Sequence, residues 1–194
     1  MQPNREQWND WERSALRTLA IGVREARERA GMSQRALADA ARVDRGQIAN
    51  LESNANAETS SRTTELPRIG LVVRLALALR LPPLELLYPG LPDGSVEVLP
   101  DVTCTSMEAA QWFSGEVSSD QLPDSLPVTD TQRTVKARKL RDIRRQIEFN
   151  KQVLFADDVS ESARQTANIV LMSFTKQAQE LEAEMRREGL TVRG

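Results

Sequence analysis

The chain has 194 residues, 40% of them hydrophobic, 28% charged and only 4% aromatic, enough for one or two small aliphatic cores in an Ala- and Leu-rich, helix-favouring sequence. It contains no histidine, which excludes Ser-His-Asp and Cys-His catalysis, histidine-containing zinc sites and histidine pH switching. The net charge of -2 hides a division: residues 1–90 carry 13 basic and 11 acidic side chains, residues 91–130 none and eight, residues 131–194 13 and nine.

No carboxylate pair or metal-binding loop stands out, so no catalytic residue, metal or cofactor is expected and the chain is read as a non-enzyme. No run of about 18 apolar residues predicts a membrane span. The opening stretch MQPNREQWND lacks the basic-then-apolar layout of a secretory signal. The single Cys104 has no partner for an internal disulfide, and a cytoplasmic protein is expected.

Taken in order, Leu16, Leu19, Ala20, Val23 and Ala26 recur at helical spacing and predict a helix over 12–30, closed by Gly31. Trp8 and Trp11 precede it and are expected to cap this first domain. Ser33 is an N-cap for a second helix with Leu37, Ala38 and Ala41 inside. Asp44 opens a third helix that runs to about Ser53. The polar stretch after it leads to Pro67, where a fourth helix begins with Ile69, Val72, Leu75, Ala76 and Leu79 as its apolar set. Pro82 and Pro83 stop that helix and start a short fifth one.

From 91 to 130 Pro and Gly punctuate an acidic stretch, read as a linker or docking segment. Within it, SVEVLP has the look of a strand and SMEAAQWF of a helix, with Trp112 and Phe113 as docking residues. Two long helical patterns follow, about 131–155 and 160–188. The polar break ADDVSES joins them, with Ser160 as a new N-cap. This predicts an antiparallel hairpin whose apolar face needs a further surface.

The third helix poses a question of its own. Turned by about 100° per residue, Ile48 and Leu51 point one way and Gly46, Asn50 and Ser53 the other, with Arg45, Gln47 and Ala49 on the flanks. A short exposed helix braced by another fits a DNA major groove. Asn pairs with adenine and Arg with guanine or phosphate, while small residues let the backbone come close. Gln34 and Arg35 stand at the first turn of the bracing helix, where free N–H groups attract phosphate.

The stretch GMSQRALADAARVDRGQIANLES resembles the helix-turn-helix of the lambda-repressor-like (Cro-type, xenobiotic-response-element) family. The resemblance extends over roughly Ile21 to Pro89, with PRIGLVVRLALALRLPPLELL similar to that family's fourth and fifth helices. It implies that Gln34 contacts phosphate and that Arg45, Gly46, Gln47, Ala49 and Asn50 form the reading surface. It also implies an internal ion pair between Arg27 and Glu52. Two departures stand out. Arg42 holds a turn position where glycine is common, at a strain of about 1 kcal/mol if φ is positive, so a differently shaped turn is expected. The loop after the third helix is long, with Arg62 offered for phosphate.

The expectation is an all-α protein. Residues 1–90 form a five-helix helix-turn-helix domain, 91–130 an acidic linker or docking segment, and 131–194 a helical hairpin. Its function is expected to be sequence-specific binding of double-stranded DNA as a transcriptional repressor, of the kind temperate phages use for immunity. The hairpin is expected to make a homodimer. One alternative is a monomer using Arg138, Lys139, Arg141 and Arg145, within the basic run 133–145, as a second DNA contact on an asymmetric site. Another is an antitoxin-type regulator that binds a protein partner through its C-terminal half.

Overall fold

A computed structural model of the chain describes residues 3–56, 65–116, 123, 126, 127 and 130–192. Eight α-helices and one β-hairpin lie in the described residues, divided between two compact units; the first runs from the N-terminus through Ser114, and the second contains the last two helices.

Helix α1 spans Arg5–Arg29, starting about two turns before the expected start at residue 12. Its start is set by a capping box: Asn4 Oδ1 accepts from Gln7 N, and Gln7 Oε1 accepts from Asn4 N, both at 2.9 Å. The polar composition of residues 5–11 conceals this signal from an apolar periodicity count. Gly31, at φ +64, ends the helix. Ser33 caps α2 (Gln34–Ala41) by accepting from Ala36 N at 3.1 Å.

At Arg42 the chain is left-handed, φ 54 and ψ 52. The turn keeps the conformation glycine would give it, contrary to the expectation of a different shape. The strain is tolerated here because the helices on either side are both anchored in the core. Helix α3 covers Arg45–Ser53, with Asp44 in the cap position but no side-chain cap bond, and a 3-10 turn, Asn54–Asn56, follows. Helix α4 is Ile69–Leu79, with Arg68 in the cap position and its start two residues after the expected Pro67, and α5 is Pro83–Leu87 with proline in its first turn.

These five helices share one core. Leu16, Val23, Leu37, Ile48, Leu75 and Leu86 are among its buried members. Gly22 matters to its geometry: a Cβ there would lie 2.5 Å from the Leu86 carbonyl oxygen, so any side chain would push α1 away from α5.

The first unit does not end at residue 90. Strands β1 (Ser95–Leu99) and β2 (Val102–Thr105) form an antiparallel pair, Ser95 opposite Thr105 and Leu99 opposite Val102, with a bulge between Glu97 and Leu99. Helix α6 (Ser106–Ser114) follows directly. Val96 and Val98 alternate into a small cluster with Ala109 and Leu126. Two bonds tie the hairpin to α1. Trp11 Nε1 donates to the Glu97 carbonyl at 3.2 Å, and Gln7 Nε2 donates to Asp101 at 2.7 Å. The stretch read as a linker or docking segment therefore holds a folded layer on the first unit up to Ser114. Trp112 packs against its cluster while Phe113 stays exposed.

In the second unit α7 (Gln132–Phe155) and α8 (Glu161–Arg187) run antiparallel, and Ser160 caps α8 by accepting from Ala163 N. Leu140, Ile143, Ala178, Leu181 and Met185 form its core. Lys136 to Glu184 and Arg144 to Glu182, both at 2.8 Å, cross between the helices. Among the described residues no helix is long and apolar enough to cross a membrane, and no group of three metal-ligating side chains occurs.

Candidate nucleic-acid interface

Helix α3 has one face in the core and one in solvent. Ile48, Leu51 and Glu52 are buried. Arg45, Gly46, Gln47, Asn50 and Ser53 are exposed, and Ala49 is half-buried at the edge of that face. Nothing lies within 4 Å of a Cβ built on Gly46, so no packing inside this unit requires glycine there. The smallness at 46 and 49 instead leaves the helix backbone open to a close approach from outside.

The buried member of the set that carries charge is Glu52. Arg27 meets it with a two-pronged pair, Nε to Oε1 at 2.6 Å and Nη2 to Oε2 at 2.8 Å, and Gln34 Nε2 donates to Oε2 at 2.9 Å. Arg27 Nη1 also donates to the Met32 carbonyl at 3.0 Å. One guanidinium thus joins α1, the start of the α2 segment and α3. Burial pushes the Glu52 carboxyl up, but the hydrogen bonds from Arg27 and Gln34 outweigh it and hold the group below the usual carboxylate range. Arg24 adds a second tie, donating to the Glu52 carbonyl at 3.2 Å and to Asn56 Oδ1 at 2.9 Å. Asn54 Nδ2 donates to the Asn50 carbonyl at 2.8 Å and so closes the end of α3. The polar outer face is therefore mounted on a helix fixed at three points from behind.

Gln34 is half-buried, and its amide faces Glu52 rather than open solvent. One of its two amide N–H donors is committed to the carboxylate, so within the resting structure it orients α3. Arg35, one residue on, is exposed. Arg62 lies outside the described residues.

Three arginines beside α3 were not among the expected contact residues. Arg68 lines a depression on one flank of α3 together with Gln47 and Asn50. On the other flank, Arg42 and Arg74 line a second depression with Asp44 and Gln47. Arg74 Nη1 donates to the Arg42 carbonyl at 3.2 Å, bracing the left-handed turn. The signal available in the sequence was positional: Arg68 immediately precedes α4, and Arg42 immediately follows α2 in the turn before α3. Only the fold sets them on either side of one helix.

Residues 23–63 match the helix-turn-helix family model. The chain carries a helix-turn-helix of the lambda-repressor/Cro-like family. No curated protein and no solved structure matches the chain. The helix-turn-helix makes it a sequence-specific DNA-binding regulator, and α2 and α3 are the two helices that give the motif its name. Residues 45, 46, 47, 50 and 53 form the exposed side of α3.

Outside the helix-turn-helix, the basic run of α7 divides by helical geometry. Arg138, Arg141 and Arg145 recur three and four residues apart and share a face turned away from the buried Leu140 and Ile143. Lys139 is exposed on the flank of that face. Arg138 donates to the Gly115 carbonyl, and Arg141 pairs with Asp142 at 3.0 Å. Lys136 and Arg144, in the same run, are taken up by the ion pairs to α8.

Proposed function

We propose that the protein is a transcriptional repressor that lays α3 in the DNA major groove and acts by occupying its operator. The observation that carries this is the sidedness of α3: the Arg27–Glu52 pair lies behind it, and Arg45, Gly46, Gln47, Asn50 and Ser53 lie exposed in front. In this reading Asn50 and Gln47 read base edges and Arg45 takes guanine or phosphate. Arg35, Arg42, Arg68 and Arg74 anchor the flanking phosphates, and Ala49 meets a thymine methyl. The repressive role, and its likeness to repressors that serve phage immunity, rest on the resemblance of the helix-turn-helix.

The α7–α8 hairpin makes the homodimer. Its core occupies the half near the start of α7, whereas Phe149, Phe155, Ile169 and Met172, in the half near the connecting turn, are 60%, 84%, 70% and 68% exposed. A second copy covering them gives a four-helix bundle and sets two reading helices on half-sites about 34 Å apart. The Arg138–Arg141–Arg145 face favours a second reading, a monomer whose hairpin grips DNA beside the helix-turn-helix. Sequences selected from random DNA, with the mass of the complex measured, separate the two. A palindrome with two chains supports the dimer, and an asymmetric site with one chain supports the monomer. A co-purifying small protein bound to the hairpin supports the antitoxin-type alternative.

A further inference from the structure

All three tryptophans and the single tyrosine of the chain line one apolar cavity of the first unit. Its volume is about 310 Å³, and Trp8, Trp11, Tyr88, Trp112 and Phe113 provide its aromatic walls. A chain with eight aromatic side chains in total has gathered five of them around one space. Trp8 stands edge-on to Trp11, ring centroids 5.5 Å apart at 86°, and Tyr88 stands likewise to Phe113, 6.0 Å apart at 70°. Edge-to-face pairs leave ring faces uncovered for a third ring.

Core packing does not account for this arrangement. Trp8 and Phe113 remain 38% and 59% exposed, so the rim is open to solvent. Among the described residues no Lys or Arg lines the cavity, and the carboxylate of Glu97 accepts from the Asp101 backbone N–H at 3.2 Å. Burial pushes the Tyr88 phenol up to about 12, so it stays uncharged. The Trp112 indole N–H is buried without a hydrogen-bond partner, a condition native structures rarely leave uncompensated.

We propose that this cavity is a binding site for an uncharged, planar aromatic small molecule of about two fused rings. The size follows from scaling: an apolar cavity of about 150 Å³ holds benzene, and this one is about twice as large. The absence of cationic lining residues rules against an anionic ligand.

The site is built to be felt at the DNA face. Leu66 lines this cavity and also the depression that holds Gln47 and Asn50. A molecule seated against Leu66 therefore adjoins the wall beside α3, and the ligand acts as an effector of DNA binding. That second step rests on the reading proposed above, whereas ligand binding does not.

The full chain can be titrated with 6-propionyl-2-dimethylaminonaphthalene, an uncharged two-ring probe with a carbonyl acceptor that takes energy from tryptophan. Because every tryptophan of the chain lines the cavity, saturable energy transfer with one probe per chain is expected, competed away by unlabelled 2-acetylnaphthalene. Ala15→Phe, which fills the cavity from α1, should weaken the probe by at least about tenfold. A wild-type chain that shows no saturable transfer overturns the site. So does a folded Ala15→Phe chain that binds the probe as well as the wild type. If Ala15→Phe does not fold, the wild-type competition decides by itself. On selected DNA, a saturating ligand should change affinity by at least about threefold. Unchanged DNA affinity with the probe bound overturns the effector role. Probe binding in a chain that selects no DNA sequence counts against the repressor reading and leaves the site standing.

Discussion

The two units solve the same problem, covering aliphatic helix faces, to different degrees. In the first, α1 to α5 close around one core in which Leu37, Ile48, Leu75 and Leu86 are fully buried. What it leaves outside on α3 is polar. In the second, two long helices bury only five residues as a core and leave two phenylalanines, an isoleucine and a methionine exposed. The first unit has an uncovered apolar stripe too, Ile69, Val73 and Leu77 on α4, but its core does not depend on covering it. A helix pair has too little interior to be self-sufficient. The comparison teaches that the first unit is a finished scaffold presenting a polar face, and the second an element whose stability is tied to what it meets.

The largest expected effects break the scaffold. Glu52→Ala leaves Arg27 without its buried counter-charge and should cost the first unit about 3–5 kcal/mol. Leu75→Ala should cost about 2–5 kcal/mol. Tryptophan fluorescence during urea unfolding checks both, since Trp8, Trp11 and Trp112 all belong to this unit. Leu140→Ala in the hairpin should fall at the lower end of that range, because a smaller core relaxes further around the gap. Helical circular dichroism of the full chain, compared with the fluorescence, separates the two units.

Next in size is the reading face. Asn50→Ala should lose about 1–3 kcal/mol at one base position and relax specificity there. Its effect on folding should stay within about 0.5 kcal/mol, as for an exposed position. Phe155→Ser, on a residue 84% exposed, should leave the isolated fold intact and weaken self-association, read by sedimentation of the chain against concentration in an analytical centrifuge. Replacing Arg138, Arg141 and Arg145 with Gln should reduce the salt slope of DNA binding by about one per lost phosphate contact. An unchanged slope confines those arginines to the hairpin's own surface.

The smallest effect is with pH. Glu52 titrates below its usual value of 4.5 in the folded chain, so its stabilisation is complete above that value and is lost as pH falls through the lower folded one. Lys136 is shifted up from 10.5 by its bonds to Glu184 and Glu188, so its contribution is complete below that value and fades as pH rises past it. The first unit should therefore weaken on acidification, less steeply in Glu52→Gln, while the Lys136 cross-link in the hairpin is lost at alkaline pH as the lysine deprotonates and in acid as Glu184 protonates below its usual range.

Much of this was legible in the sequence because it depends on local signals. The caps at Ser33 and Ser160, the glycine at 31 and the helical spacing of Leu16 through Ala26 each act within a few residues. The outward set on α3 also followed from spacing alone. The role of Gln34 was not legible, because it depends on Glu52, distant in the chain and adjacent in the fold. Nor was the flanking of α3 by Arg42, Arg68 and Arg74. The early start of α1 was hidden because its capping box, Asn4 with Gln7, lies in a polar stretch with no apolar periodicity. In the Pro- and Gly-punctuated acidic stretch the strand SVEVLP and the helix SMEAAQWF were legible, but the partner strand 102–105 and the docking of the pair on α1 were not, because they depend on Trp11 and Gln7, distant in the chain.

The central claim is that the outward face of α3 reads base pairs. The direct measurement is to select bound sequences from random DNA with the wild-type chain and with Asn50→Ala and Gln47→Ala. The account predicts one recurring site for the wild type and loss of discrimination at single, different base pairs for each variant, with the flanking preferences kept. Variants that select the wild-type site with undiminished discrimination, or a wild type that retains all sequences alike, would contradict it.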